Sequence, residues 1–283
     1  MSTKDTKKVT SVVAKQSGGN IQITYTIPSE LVTSTKAKVL EGLAKDMEIK
    51  GFRKGKAPVS KVEEQLDPNK LNEQILQTIL PPAFADSVAE HKLNPAIYPK
   101  FEAIKIEPGK DWEMRAITCE LPAIVLGDYK KKIEGELAAS KIIVPGKKEQ
   151  EKVTDEKLIK ILLDTVKLDI PDILIEEEVN GRLSSLLARI EKLGLQLEGY
   201  LQTVGKTVVE LRAEYKTQSE EAIKLELILN KIAQEEKIEV TESEIDSFIK
   251  TTGSDPTKVE KPQKDSLTRV IQRRKALEKL ALL

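Results

Sequence analysis

Ile21-Gln22-Ile23-Thr24-Tyr25-Thr26-Ile27 alternates apolar and polar residues without a break, and Pro28-Ser29-Glu30 follows at once. A period of two puts Ile21, Ile23, Tyr25 and Ile27 on one side of the chain and Gln22, Thr24 and Thr26 on the other, the pattern of a half-buried antiparallel strand. Upstream, residues 9–15 have β-branched character, and Ser17-Gly18-Gly19-Asn20 supplies the turn of a hairpin. Downstream the period becomes helical. Pro28-Ser29-Glu30 opens a helix, Leu31, Val39, Leu40, Leu43 and Met47 give it an apolar side, and Gly51 is expected to end it. A second helical stretch covers about 69–91, with a bend or break expected at Pro81-Pro82, since proline lacks the backbone donor and clashes with the preceding turn. Two strand candidates, 100–106 and 112–121, are joined by Glu107-Pro108-Gly109-Lys110. The order ββααββ predicts an α+β domain with a small antiparallel sheet over residues 1–121.

Residues 122–153 are punctuated by Gly127, Gly135, Pro145 and Gly146 and read as a linker with some strand. Residues 154–283 read as an all-α, helical-arm domain. Thr154-Asp155-Glu156 opens a helix with acids where the helix dipole is positive, and Ile170-Pro171 ends it. Next, Val179, Leu183, Leu186, Leu187, Ile190 and Leu193 repeat with helical spacing until Gly194 and Gly199 interrupt. Residues 206–237 carry Ala222, Leu225, Leu229 and Ile232 on one stripe, widened by Leu227 and Ile228. If continuous this helix is ~48 Å long, with Thr217-Gln218-Ser219 as the place where it could divide. Thr241 and Glu244 have capping-box spacing, and a last helix covers 264–283. Long amphipathic helices on short loops make a bundle or an arm-like array.

The composition excludes several classes of function. With 283 residues there is chain for about two domains. Lys and Arg number 46, as do Asp and Glu, so no field of one sign covers the whole molecule, although a local patch is not excluded. Four Phe, five Tyr and one Trp are too few to line a pocket with stacked rings. A lone Cys119 and a lone His91 could form a nucleophile–base pair, but Cys119 lies in the alternating run Ala116-Ile117-Thr118-Cys119-Glu120-Leu121, where a buried structural cysteine is the ordinary outcome. No metal or other cofactor is expected. No apolar run is long enough to span a membrane, and the polar start, Met1-Ser2-Thr3-Lys4-Asp5, does not resemble a signal peptide, so the expected compartment is the cytoplasm. Glu176-Glu177-Glu178 and Glu235-Glu236 are consecutive on helices and point in different directions, so they read as solvated faces without acid–base work.

Lys50-Gly51-Phe52-Arg53-Lys54-Gly55-Lys56-Ala57-Pro58-Val59-Ser60-Lys61 contains five cations and no acid. Two glycines four apart turn the chain tightly, and Pro58 suits the first turn of a helix, so this is a loop between two helices. Two readings compete. In one, Phe52, Arg53 and Lys54 project from the tip as a cationic, aromatic contact for a phosphate-rich or acidic surface. In the other, the lysines promote solubility and Phe52 tucks under the helix. A phosphate-binding P-loop fails, because Gly55-Lys56 follows a helix and no Ser or Thr comes next.

This segment resembles the motif of the bacterial trigger factor family, Gly-Phe-Arg-x-Gly-x-x-Pro, with Gly51, Phe52, Arg53, Gly55 and Pro58 at every fixed position. The resemblance runs up to Leu121 and resumes at Ile170-Pro171-Asp172-Ile173-Leu174-Ile175-Glu176-Glu177-Glu178-Val179, which is similar to the family's entry into its helical arms. It implies a chaperone that works without ATP, docks beside the exit tunnel of the large ribosomal subunit and shields nascent or unfolded polypeptides. Phe52, Arg53 and Lys54 would be the ribosome contacts, and Gly51, Gly55 and Pro58 would shape the loop. A homodimer of the free protein is an open alternative. The chain departs from the family where an FKBP-type prolyl isomerase domain is expected. Between Val153-Thr154-Asp155-Glu156 and Ile170-Pro171 lies one helix's worth of residues, with Leu158, Ile159, Leu162 and Val166 on its apolar side and no aromatic cluster. The expectation is therefore a short form that is not an enzyme, with an isomerase acting through a non-standard site as the rival. A periplasmic holdase and an adaptor without clients are further alternatives.

For the helical half, Leu195, Leu197, Tyr200, Leu201 and Val204 are client-binding candidates, and closing the bundle core is the competing role for each. The run from Leu225 to Ile232 reads as core. Arg269, Arg273, Arg274, Lys275 and Lys279 make the last helix basic, either a solvated face or a second contact with ribosomal RNA.

Overall fold

Strands β1 (Thr10–Lys15) and β2 (Asn20–Ile27) form the expected hairpin in a computed structural model that describes residues 8–47, 52, 58–140 and 154–283. Gly18 and Gly19, at φ 75 and 80, turn the chain through left-handed backbone that a side chain would strain. Strand β4 (Trp112–Cys119) pairs with β2, and β3 (Lys100–Lys105) pairs with β4, giving an antiparallel sheet in the order β1-β2-β4-β3. The register sets Ile23 opposite Ala116, Tyr25 opposite Met114 and Ile27 opposite Trp112. All six are buried on the face that the helices cover.

Helix α1 (Ser29–Asp46) starts where Pro28 places it, and the Asp111 carboxylate accepts the free Ser29 amide at 2.8 Å. It ends at Asp46 and not at Gly51, because Met47 is already extended. Gly51 itself lies outside the described residues. A short helix α2 (Val59–Gln65) follows Pro58, and α3 (Pro68–Glu90) is capped by the Asp67 side chain, which accepts from the Asn69 amide. Pro81-Pro82 do not break α3. Ile75, Ile79, Leu80 and Ala83 are buried around them, and burial of a large apolar side chain is worth roughly 1.5–3 kcal/mol, enough in sum to hold the helix against the prolines. Both prolines lie on the exposed side.

Contacts divide the chain into two units, Met1–Leu121 and Pro122–Leu283. The second departs from the sequence reading at its beginning. Residues 122–140 are not a linker with some strand: α4 (Tyr129–Ser140) is a helix. Leu126, Tyr129 and Ile133 share a core with Leu158, Leu162 and Val166 from the region of α5 (Asp155–Thr165). Ile228, Leu229 and Ile232 of α8 (Val208–Glu235) and Ala276 and Leu280 of α10 (Lys261–Leu280) complete it. Helix α5 stops at Thr165, ahead of Ile170-Pro171, and Pro171 instead precedes α6 (Asp172–Lys192).

Helix α8 is continuous through Thr217-Gln218-Ser219, and Ser219 is buried. Ile170, Ile175 and Val179 pack with Leu227, and ion pairs from Arg212 to Glu176 and from Lys216 to Asp172 hold α6 and α8 antiparallel. Between them lies α7 (Leu197–Val204). Thr241 and Glu244 form both bonds of the capping box that opens α9 (Glu242–Thr251), whose Ile245 and Ile249 pack on Ile271 of α10. No helix of the described residues is long and apolar enough to cross a membrane.

Candidate functional site

The loop between α1 and α2 is framed by its two ends. On the far side Pro58 adopts φ −61 and ψ 140, and its carbonyl accepts from the Lys61 and Val62 amides at 2.9 and 3.3 Å. Val62 is fully buried where α2 packs against α1, so the point at which the loop re-enters the fold is fixed by core packing. Phe52 is 43% exposed. Gly51, Arg53, Lys54 and Gly55 lie outside the described residues. Lys61 pairs with Glu64 at 2.7 Å, and Lys36 on α1 pairs with Glu63 at 2.5 Å. Both pairs are exposed and worth little to stability.

The helical unit splits the client candidates. Leu201 is buried, Leu197 and Tyr200 are half-buried, and Val204 is exposed. The apolar surface at this end of the α6–α8 hairpin is carried largely by residues outside that group: Leu187, Leu193, Val208 and Val209 are exposed, the last at 77%, together with Leu195. Leu187 and Leu193 lie on the stripe that repeats with helical spacing from Val179. The turns here are forced. Gly194 and Gly205, at φ 70 and 66, take left-handed backbone, and the Leu195 and Lys206 amides bond back to the Ile190 and Leu201 carbonyls.

The charged groups are structural. Glu236 accepts from Lys130 and from Lys279, joining α4 and α10 at the end of α8, and these lysines hold its carboxyl down to about 2. Lys275 lies 2.8 Å from Glu244 and, with the Thr241 cap, also holds that carboxyl down to about 2. Arg273 pairs with Glu226, and Arg274 with Glu278 at 2.8 Å. Of Arg269, Arg273, Arg274, Lys275 and Lys279, the last four are therefore engaged by carboxylates, three of them on other elements, and Lys264 of the same helix pairs with Asp246 of α9 at 3.5 Å. Glu176 and Glu178 pair with Arg212 and Arg182.

Cys119 and His91 do not form a nucleophile–base pair among the described residues. Cys119 is buried in β4, and burial pushes its thiol up to about 11, away from the reactive thiolate. His91 is exposed at the end of α3. Among the described residues, no group of three His, Cys, Asp or Glu side chains could hold a metal ion.

The first unit is a four-stranded sheet backed by helices with an exposed phenylalanine between the first two of them, and the second is helical, with a hairpin whose apolar side chains are left uncovered at one end. The chain belongs to the bacterial trigger factor family. The family model "Bacterial trigger factor protein (TF)" matches residues 9–162, and "Bacterial trigger factor protein (TF) C-terminus" matches residues 126–281. The trigger factor of Staphylococcus epidermidis is 30% identical over 122 residues, 43% of this chain and 28% of that protein. That of Streptococcus mutans is 34% identical over 108 residues, 38% of this chain and 25% of that protein. The chain thus spans little more than a quarter of the length of the relatives it matches. A solved structure described under promiscuous substrate recognition in folding and assembly activities of the trigger factor chaperone superposes with a TM-score of 0.62 at 15% identity, covering 96% of this chain and 99% of the other. The likeness establishes a shared fold.

Proposed function

We propose that this chain is a chaperone of nascent and unfolded polypeptides that docks on the large ribosomal subunit through Phe52, Arg53 and Lys54 and works without ATP. The observation that carries the reading is the loop. Gly51, Phe52, Arg53, Gly55 and Pro58 fill every fixed position of the family motif, and Phe52 exposes an aromatic surface in a chain with only four phenylalanines. Arg53 can grip phosphate or carboxylate with two parallel bonds, Lys54 adds a less directional charge, and Gly51, Gly55 and Pro58 shape the turn. The compartment is the cytoplasm, where ribosomes are.

Clients are held at the free end of the helical hairpin, through Leu197, Tyr200 and Val204 together with Leu187, Leu193, Leu195, Val208 and Val209. Leu201, which is buried, supports α7 from below. Binding is by mass action: apolar segments associate weakly and leave as folding buries the same side chains. The protein acts as a holder of clients and not as a prolyl isomerase. Supporting this, the interval where the family's isomerase is expected holds only α5, whose Leu158 and Leu162 belong to the core of the helical unit. The free protein could also cover its apolar end with a second copy.

The test is co-sedimentation with ribosomes. Arg53→Glu with Lys54→Glu is expected to abolish binding with the circular dichroism spectrum unchanged. A folded double variant that sediments with ribosomes as the wild type does would overturn the docking assignment.

A further inference from the structure

The core of the first unit is apolar apart from a few hydroxyls, and most of these gather at one place. Tyr25 is fully buried, Thr35 of α1 and Ser87 of α3 are buried, and all three line a cavity of about 250 Å³ at the β1 edge of the sheet, under α1 and α3. Thr118, the other buried hydroxyl of this unit among the described residues, lies elsewhere and donates to the Ile97 carbonyl at 2.8 Å. Leu31 and Ile79 supply apolar wall between the buried hydroxyls and the mouth.

Both ends of the cavity carry groups without partners. At the floor, the Tyr25 hydroxyl is enclosed and makes no hydrogen bond. The neighbouring Ser87 hydroxyl donates instead to the Ala83 carbonyl at 3.0 Å. Burial outweighs the influence of Ser87 and pushes the Tyr25 phenol up, so the group is a neutral O–H, and an enclosed O–H left unpaired is costly. At the mouth, Asp86 and Glu90 stand one turn apart on α3, exposed, and neither forms an ion pair among the described residues. Lys8 is the single cation of the described lining, so the mouth is net negative and repels an anion. A metal ion finds no ligand set either, since no three His, Cys, Asp or Glu side chains group together among the described residues. Two carboxylates outside, an apolar wall, and a neutral hydroxyl inside match a molecule with an ammonium at one end, a short alkyl stem, and a polar uncharged group at the other.

We propose that this cavity binds a short aliphatic amino alcohol, its ammonium held by Asp86 and Glu90 and its free hydroxyl accepting from Tyr25. The same ligand hydroxyl can donate to the Ser87 oxygen, whose lone pairs remain available while its proton is spent on Ala83. The stem packs on Leu31 and Ile79. The volume lies below that of pockets for drug-sized molecules, so the ligand is small. Its hydroxyl is free and not a phosphate ester, because a phosphate would bring a second anion past the carboxylates to a floor that offers it no cation. The site takes a small molecule and is independent of the client-binding reading.

The test titrates the full chain with 3-amino-1-propanol, propylamine and 1-propanol, following amide shifts by NMR and the melting temperature. The amino alcohol is expected to bind with a dissociation constant on the order of 1 mM, as suits a ligand of so few atoms, and more tightly than either parent. Tyr25→Phe is expected to weaken the amino alcohol about three- to tenfold and to leave propylamine unchanged. It is not expected to lower the melting temperature of the free protein, because the hydroxyl it removes is unpaired; a merely structural role would not give that combination. Asp86→Asn with Glu90→Gln, at exposed positions, is expected to weaken both amines about three- to tenfold and to leave 1-propanol unchanged. Equal binding of the amino alcohol and 1-propanol would overturn the proposal, as would an amino alcohol whose affinity is the same in Tyr25→Phe. No shift with any of the three, with water as the only occupant of the cavity, would overturn it too. Vesicles of phosphatidylethanolamine are expected not to displace 3-amino-1-propanol; displacement by them would overturn the assignment in favour of a lipid headgroup.

Discussion

Replacing Ile133 by Ala tests whether residues 122–140 belong to the helical unit, the point on which structure and sequence pattern differ most. Ile133 is fully buried on α4 among Leu158, Leu162 and Ile228. Truncation removes three carbons from a packed site and leaves a cavity, a change that destabilises by about 2–5 kcal/mol. At about 2–4 °C per kcal/mol for a unit of this size, the melting temperature should fall by about 4–20 °C. The neighbouring Glu134 is exposed, so Glu134→Ala should stay within about 0.5 kcal/mol. Denaturant titration followed by far-UV circular dichroism measures the difference, and Trp112, the single tryptophan, lies in the first unit and provides an internal comparison. Hydrogen exchange adds an independent reading, because amides of a packed helix are protected and those of a linker exchange at once. A loss below about 1 kcal/mol together with unprotected amides over 129–139 would refute the packing of α4 and restore the linker.

Glu236 links pH to stability. Its carboxyl is held down to about 2 by Lys130 and Lys279, against an ordinary value of about 4.3 in the unfolded chain, so the unfolded state takes up the proton first. Its contribution is complete above about pH 4.3 and is lost as the pH falls towards 2. Glu236→Gln should therefore flatten that part of the acid-unfolding curve, and an unaltered curve would contradict the assignment. Cys119 should not react with a thiol reagent in the native protein at neutral pH and should react once denaturant exposes it, since burial both shields the thiol and pushes it up to about 11. Rapid labelling of the native state would count against its placement. Thr241→Ala removes half of the capping box on α9 and should destabilise by about 1 kcal/mol, whereas Thr241→Ser should restore most of it. Equal stability of the two variants would show that the cap contributes nothing.

Elements whose signal is complete within one short stretch are readable from the sequence, wherever their partners lie. The strand at 20–27 shows itself because one of its faces is buried along its whole length, and Thr241 with Glu244 cap a helix across three residues. Readings that failed applied a local rule where a distant partner decides. Gly127 and Gly135 look like punctuation, yet Leu126, Tyr129 and Ile133 recur at helical spacing and are held by Leu158 and Ile228, residues invisible to a local window. Pro81-Pro82 are expected to bend or break a helix; it is not broken, and the buried side chains around them hold it. The cations of the last helix read as either a solvated face or an RNA contact, and the carboxylates that pair with three of them, Glu226, Glu236 and Glu244, escape a local window because they are remote in sequence and near in space.

The site divides along the same line. A motif of five fixed positions can be read from sequence without geometry, and the structure adds that Phe52 is exposed and that Val62 anchors the loop's return. The hairpin end is the opposite case. Val179, Leu183, Leu186, Leu187, Ile190 and Leu193 form one periodic stripe, yet Val179 and Ile190 are buried while Leu187 and Leu193 are exposed. Periodicity reports that a helix has an apolar face; it carries no information on whether anything covers that face. An intact stripe is therefore what both a core and a binding surface require, and only the exposure of Leu187 and Leu193 on α6, beside a short α7 between two glycine turns, separates the covered part of the stripe from the uncovered part.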